Sequence, residues 1–310
     1  MTTPSNGTGI GLCLPQLGPH VDADVIVEFA RRAEAFGFTG LWVQDHFMYP
    51  LAPKRGYGGP GVLPPAQYQT VYAPTETLAV VAAETSTVRL GTSILVAGNH
   101  WPVPLAQRLA TIDQLSKGRL VAGFGIGWSQ DEHEAVGVDI ETRGRRMDDF
   151  IPAMLACWAD DPVSHTGPFF DVPPSIVRPK PYRGSRPMLM SGMFSEEGMR
   201  RTAKWFDAWN PAFMKVPVVQ GLVDTMNSER GDGLDPLQVF YRSFIQPPLG
   251  RPRVKDGDLG SIIADAVAAA EAGFAEVILE HNFWDEIGSA ADWLSIPERF
   301  AVVVEAVNTR

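Results

Sequence analysis

The chain predicts an α/β protein of the closed eight-stranded (β/α)8 type, with insertion loops at the C-terminal mouth of the barrel. Three observations lead there. Short β-like apolar runs alternate with segments of helical hydrophobic spacing along the whole chain, and strict βα alternation implies a parallel sheet. The count of such units reaches eight, which favours closure over an open doubly wound sheet. The length of 310 residues suits one barrel.

The strand runs lie at 8–17, 40–47, 88–97, 119–124, 186–192, 206–210, 237–246 and 274–283. After the first run, Val25, Ile26, Phe29, Ala30, Ala33 and Phe36 recur at helical spacing between an Asp22 N-cap and a Gly37 stop. A Gly/Pro-rich stretch at 48–74 follows the second run, and a helix is expected near 76–86. The next helix carries Leu105, Leu109, Ile112 and Leu115. Met147, Phe150, Ile151, Met154, Leu155 and Trp158 form one stripe of a strong helix after the fourth strand. A hairpin is expected at 163–170, a helix in "SEEGMRRTAKW", another at 258–272, and a closing helix from 284 onward. No linker divides the chain, so residues 1–310 are expected to form a single domain.

Composition narrows the function. Hydrophobic residues make up 45% and charged residues 20%, ordinary for a large packed core. A net charge of −10 with pI near 5.1 argues against wholesale binding to nucleic acid or anionic membrane, which requires a basic face. Cys13 and Cys157 sit in apolar segments without metal-ligand spacing and are expected as buried thiols in a reducing compartment. No basic leader and no run of 18 apolar residues stand out, so a cytoplasmic location is expected.

Gly123, Gly125 and Gly127 alternate at the end of the fourth run, before Trp128. A dinucleotide fingerprint needs G-x-G-x-x-G opening a helix. The spacing here is G-x-G-x-G, which fits a strand end turning sharply at a crowded barrel mouth. Glu132, His133 and Glu134 are adjacent rather than at i, i+3 or i+4, which points to a solvated helix start and not to a metal site. Arg143, Arg145 and Arg146 read likewise as a charged helical face. No metal is expected.

The segment from Arg108 to Trp158 resembles the central signature of the luciferase-like monooxygenase superfamily, in particular its F420-dependent branch. "GFTGLWVQDHF", "LGTSIL" and "RPMLMSGMFSEEGMRRTAKWFDAWNP" agree in the same order, and the likeness covers about residues 8–211. The resemblance implies a flavin-type cofactor, coenzyme F420 or alternatively FMN, at the C-terminal mouth. It implies that Asp45 and His46 form an acid-histidine pair with the imidazole facing the reactive ring. Histidine suits that place because its unperturbed pKa lies near neutrality. Ser93 and Ile94 match the family's non-prolyl cis peptide behind the ring, and Gly127, Trp128 and Asp131 the loop lining the cofactor. The stretch from Ser191 through Gly192 and Met193 to Ser195 matches a phosphate-holding turn. Met193 replaces a glycine there, and "FDAW", Phe206 to Trp209, departs from the family's "GDGW", so the phosphate cradle could be narrowed or the cofactor reanchored.

A basic rim would favour F420, whose tail is acidic. Arg178, Lys180, Arg183 and Arg186 precede the fifth strand, and Arg251, Arg253 and Lys255 follow the seventh. The branch resemblance favours F420 with hydride transfer to a small organic substrate, apolar or aromatic. FMN-dependent monooxygenation is the alternative, and a non-catalytic flavin-binding barrel a further one. The 48–74 loop, with Tyr49, Tyr57, Tyr68 and Tyr72, reads either as a lid walling the substrate or as packing on the barrel, with Trp101, Phe283 and Trp284 as further wall candidates. His100 and His281 are secondary candidates for moving protons, or structural histidines. Relatives suggest a homodimer; no nucleic-acid or membrane partner is expected.

Overall fold

A computed structural model of the chain describes residues 7–254 and 258–309. Lys255 and the first six residues of the expected single domain lie outside the described residues. The elements in chain order are β1 (Gly9–Cys13), α1 (Ala23–Ala35), β2 (Gly40–Val43), α2 (Pro74–Glu84), β3 (Arg89–Thr92), β4 (Leu95–Val96) and α3 (Pro102–Ser116). Next come β5 (Leu120–Gly125), α4 (Gln130–Ala135), α5 (Arg143–Trp158), β6 (Val163–Thr166), β7 (Asp171–Ser175), β8 (Met188–Ser191) and α6 (Glu196–Trp205). The chain ends with β9 (Ala208–Trp209), α7 (Val216–Ser228), β10 (Gln238–Phe244), α8 (Gly260–Glu271), β11 (Glu276–Glu280) and α9 (Ala290–Asn308).

The strands pair in parallel in the order β3-β2-β1-β11-β10-β9-β8-β5, and β3 pairs with β5 to close the ring. The eight-stranded barrel is therefore formed, with β4 continuing the line of β3 along β5. The strands are shorter than their apolar runs because each run continues into the mouth loop. The expected 88–97 strand is interrupted at Ser93–Ile94, a cis peptide without proline. Leu115, expected on the buried stripe of its helix, is exposed. The short hairpin β6–β7 is antiparallel and sits outside the barrel; Asp149 of α5 holds it, accepting from the Phe169 and Phe170 amides at 2.8 and 2.9 Å.

Successive strand residues point to opposite faces, so every second residue fills the barrel. Cys13, Trp42, Val121, Met190, Ala208, Phe240 and Ile278 form one interior cluster. Two residues further along the same strands stand Gln44, Gly123, Gly192, Asn210, Arg242 and Glu280. Two beyond Gln44 is His46. The interior thus changes from apolar packing to polar groups toward the C-terminal mouth, where the strand ends pass into the mouth loops.

The outward faces and the helix stripes make the larger core, which includes Phe29, Leu41, Leu90, Phe150, Trp209 and Phe300. Asp22 caps α1 by accepting from the Val25 amide at 2.9 Å, as the sequence expects. Cys13 and Cys157 are both free and buried. Among the described residues no helix is long and apolar enough to cross a membrane.

Candidate active site

His46 and Trp128 share the barrel mouth, their ring centroids 5.8 Å apart. His46 reaches it from the end of β2, and Trp128 from the turn after β5. Gly127 makes that turn with φ +74°, and a Cβ there would meet Val96 Cγ1 at 2.6 Å and His133 Cε1 at 2.7 Å. Only glycine fits both the left-handed backbone and the close approach.

The partner of His46 is Glu132, not Asp45. His46 Nδ1 lies 3.1 Å from Glu132 Oε2, and the Phe47 amide donates to Glu132 Oε1 at 3.0 Å. Asp45, expected to pair with His46, turns the other way: its Oδ2 accepts from the Val96 amide at 2.9 Å and lies 2.8 Å from His100 Nε2. The physical reason is strand alternation, which sends adjacent side chains to opposite faces. Asp45 therefore fastens the β4 segment to β2 and holds His100.

The expectation of a solvated 132–134 helix start is corrected as well. Glu132 is 2% exposed and His133 0%. Ser129 caps α4 by accepting from the Glu132 amide, and His133 wedges under the turn, its ring nitrogens 2.8 Å from Ser129 O and 3.1 Å from Ile126 O. Only Glu134 faces outward, bound to Lys54. Asp131 accepts from the Lys54 amide at 3.1 Å, so its carboxylate ties down the 48–74 loop. Among the described residues no cluster of His, Cys, Asp and Glu is arranged around a metal position.

Opposite His46, Ser93 Oγ donates to Asn210 Oδ1 at 2.7 Å, and Arg242 Nη1 donates to the Ser93 carbonyl at 2.8 Å. Arg242 also bonds Glu280, and Gln44 Nε2 donates to Glu280 Oε2 at 2.9 Å. The Arg242 guanidinium beside Glu280 holds that buried carboxyl below its usual range against the opposing effect of burial. Sequence reasoning missed Arg242, Glu280 and Asn210; the signal was available in strand phase, since each lies two residues beyond an apolar interior position. Ile94 lies over Gly125 and Gly192, where a Cβ would come within 2.5 Å of Ile94 Cδ1 and 2.7 Å of Ile94 Cγ2.

At the β8 end, Ser191 is buried and its hydroxyl is used internally, accepting from Thr202 Oγ1 at 2.7 Å and from the Met193 amide at 3.3 Å. The Met193 side chain packs into the outer core, and Trp209 Nε1 donates to its carbonyl at 2.9 Å. Its Cβ stands beside Gly198 in the first turn of α6, where a Cβ on that glycine would meet it at 2.7 Å. Ser195 caps α6, accepting from the Gly198 amide, and two acids, Glu196 and Glu197, occupy the first turn. The start of α5 has no acid in its first turn, and the Nε atoms of Arg143 and Arg146 are buried without a partner. The Ile140–Thr142 turn runs directly into α5, and the Arg143 amide donates to the Ile140 carbonyl, so it is the two arginine side chains, and not an open helix end, that suit an anionic group there. They were read from sequence as a charged face.

Tyr68 covers His46 at 4.3 Å between centroids, Tyr57 meets Trp128 edge-on at 5.0 Å, and Phe283 meets Tyr68 at 5.5 Å. Burial pushes both tyrosine hydroxyls up. These ring contacts pack the loop over His46 and Trp128. Trp284 packs instead on Phe300 in the helix layer, and Trp101 is an exposed side chain against Phe170 of the hairpin region. His281 is buried between Phe29 and Trp293, away from the mouth. Arg178 and Lys180 bond Asp161, and Arg186 bonds Asp207, at the N-terminal side of β8 and β9. That basic cluster, Arg183 with it, is on the rim opposite His46.

Residues 10–247 match the family model of the luciferase-like monooxygenases. The chain belongs to the luciferase-like monooxygenase family. An uncharacterised Mycobacterium tuberculosis protein is 32% identical over 182 residues, 58% of this chain and 64% of that one. The F420-dependent glucose-6-phosphate dehydrogenase of Amycolatopsis mediterranei is 30% identical over 170 residues, 54% of this chain and 46% of its own. The chain thus spans less than two thirds of the length of either relative. The oxygenating constituent of 3,6-diketocamphane monooxygenase from Pseudomonas putida, a type II Baeyer-Villiger monooxygenase solved with FMN, superposes with TM-score 0.72 at 14% identity, covering 98% of this chain and 99% of that one. At that identity the likeness shows the fold. The family match reaches past residue 211, where the motif resemblance stops.

Proposed function

We propose that this luciferase-like family member is an oxidoreductase that transfers a hydride between F420 and a small apolar or aromatic substrate. The observation that carries the reading is the shared mouth: His46, oriented by Glu132, lies at the same strand-end rim as Trp128, Gly127 and the Ser93–Ile94 segment. The residues suit a flat polar ring system. Gly125 and Gly192 let Ile94 sit low at the mouth, and the unpartnered Nε atoms of Arg143 and Arg146 suit an anionic group. When bound there, a deazaflavin supplies hydride chemistry, whereas a reduced flavin also reacts with oxygen.

The residues contribute the rest. Glu132 fixes the tautomer and direction of His46, whose free Nε2 is then placed to give or take a proton at the substrate. Tyr57, Tyr68 and Phe283 exclude water and contact an apolar substrate body. Ser191, Gly192, Met193 and Ser195 act in this reading through backbone and helix cap, and Asp131 and Asp45 as positioning residues.

The F420 preference rests on the branch motifs and the F420-dependent relative. Charge adds nothing to it, because the cluster before β8 lies on the far rim and Arg253 is paired with Asp265. FMN-dependent monooxygenation is the second reading, favoured by the aromatic, closed mouth that would shield a reactive intermediate. Titrating F420 and FMN separately into the purified protein and following fluorescence decides between them. Tight binding of neither overturns both and leaves a non-catalytic barrel. His46→Ala should keep ring affinity within a few-fold and lower turnover about 100-fold; unchanged turnover removes His46 from the mechanism. A cytoplasmic homodimer acting on a small molecule completes the proposal, with its mass in solution as the check on assembly.

A further inference from the structure

A second cavity, of about 470 Å³, opens beside the mouth between the β9–α7 connection, β10 and α8. Its size falls in the range of small-molecule sites, roughly 300–1,000 Å³. The lining is divided in character. Phe213, Met214, Val216, Phe244 and Pro247 give it an apolar wall, with the Phe213 ring stacked on Phe244 at 4.4 Å and 18°. Lys215, Arg242, Arg253 and Asp265 bring charge; Arg242 lies over the Phe244 ring at 4.9 Å and is already paired with Glu280.

Those charges do not balance. Asp265 is committed to Arg253, its Oδ2 accepting from Nη2 at 2.7 Å, while Arg253 Nη1 donates to Ser243 Oγ at 3.2 Å. Lys215 makes no side-chain hydrogen bond or ion pair among the described residues, although it lines the cavity. The local backbone is also unusual. Phe213 has φ +61° and Leu249, two residues after Pro247, has φ +58°, and their side chains are 66% and 63% exposed. A bulky side chain in the left-handed region is strained and persists where surrounding structure enforces it, which is commonly at a binding surface. Here the conformation holds an aromatic ring open to solvent over a pocket with an unmatched cation.

We propose that this cavity is a binding site for an apolar carboxylate, the Lys215 ammonium receiving the carboxylate and the Phe213–Phe244 stack receiving the hydrocarbon or aromatic body. Phe244 also packs on Phe283, which faces Tyr68 in the mouth, and Arg242 lines the cavity while bonding the Ser93 carbonyl, so the site adjoins the mouth through Phe244 and Arg242. The inference does not depend on the redox reading, because it uses neither His46 nor the cofactor turn.

The test uses the whole chain without added cofactor. 2-Naphthoate is titrated by calorimetry against the wild type, Lys215→Met and Phe213→Ser, with neutral 2-naphthamide as the comparison ligand. Lys215 and Phe213 are exposed, and thermal unfolding of each variant confirms folding. The site predicts saturable naphthoate binding, weakened about tenfold by Lys215→Met and by removal of the ligand charge, weakened by Phe213→Ser, and retained when F420 or FMN is present. Absence of binding, equal affinity for acid and amide, indifference to Lys215→Met, or displacement by F420 or FMN would overturn it. Failure of the redox reading would show instead in the flavin titrations, leaving this result unaffected.

Discussion

His46 and Glu132 stand 86 positions apart in the chain, yet the imidazole Nδ1 lies 3.1 Å from the carboxylate. Glu132 also accepts from the Phe47 amide, so one carboxylate sets both the ring and the exit of the strand that carries it. Glu132→Gln keeps the shape and removes the charge. Turnover is expected to fall about tenfold or more, with ring affinity within a few-fold. In a double-mutant cycle with His46→Ala, the Glu132→Gln change should cost little further, since the two act as a unit. Additive losses in steady-state kinetics would separate the pair.

The turn at Gly127 offers a stability test with an internal control. Gly127→Ala places a methyl within 2.7 Å of Val96 and His133 at a left-handed φ, whereas Gly137 has the same φ of +74° with nothing within 4 Å. Gly137→Ala is expected to cost about 1 kcal/mol from backbone conformation alone. Gly127→Ala should cost at least about 2 kcal/mol, from strain and overpacking together. Urea unfolding of the two variants measures the difference, and equal losses would refute the crowding.

Stability should depend on pH through His281. Its ring nitrogens have no partner, and burial pushes its pKa from 6.5 down to about 4. In the unfolded chain the imidazole binds its proton near the ordinary value, so between pH 6.5 and 4 the unfolded state holds more protons and stability falls as pH falls. From pH 7 to 5 this amounts to about 2 kcal/mol. Chemical unfolding of the wild type and His281→Phe at both pH values isolates the effect; the same pH slope in both would exclude it.

The 48–74 loop is fastened in its first third by Lys54 to Glu134 and Arg55 to Glu141, and near its end by Leu17–Val71 bridging. Exposed ion pairs weaken with salt. In the double variant Lys54→Ala/Arg55→Ala, amide hydrogen exchange around residues 54–62 should speed up several-fold while β1 and β11 stay unchanged. Added salt should reproduce part of that change in the wild type. Identical exchange in wild type and variant would show that aromatic packing of Tyr57 and Tyr68 alone holds the loop.

Much of the barrel was legible locally. Alternating strand and helix periodicity located all eight barrel strands, and the interior position of Trp42 carries the phase that sends His46 into the mouth. The charges were harder. Glu132 and Glu134 are alike in sequence, and only the packing of α4 against β2 and the 48–74 loop buries one and exposes the other. Arg242 and Glu280 belong to strands separated from His46 by most of the chain, and each looks unremarkable until the barrel closes around it.

The sequence by itself determined the fold class and the places of the eight barrel strands, because those follow from side-chain periodicity, and its resemblance to the family's motifs singled out the histidine at the end of the second strand. The tertiary structure alone decided which acid serves His46, where the basic clusters lie, and that Met193 faces the core. Such matters depend on which side chains meet across the closed ring, and a contact between residues far apart in the chain leaves no periodic trace in the residues themselves.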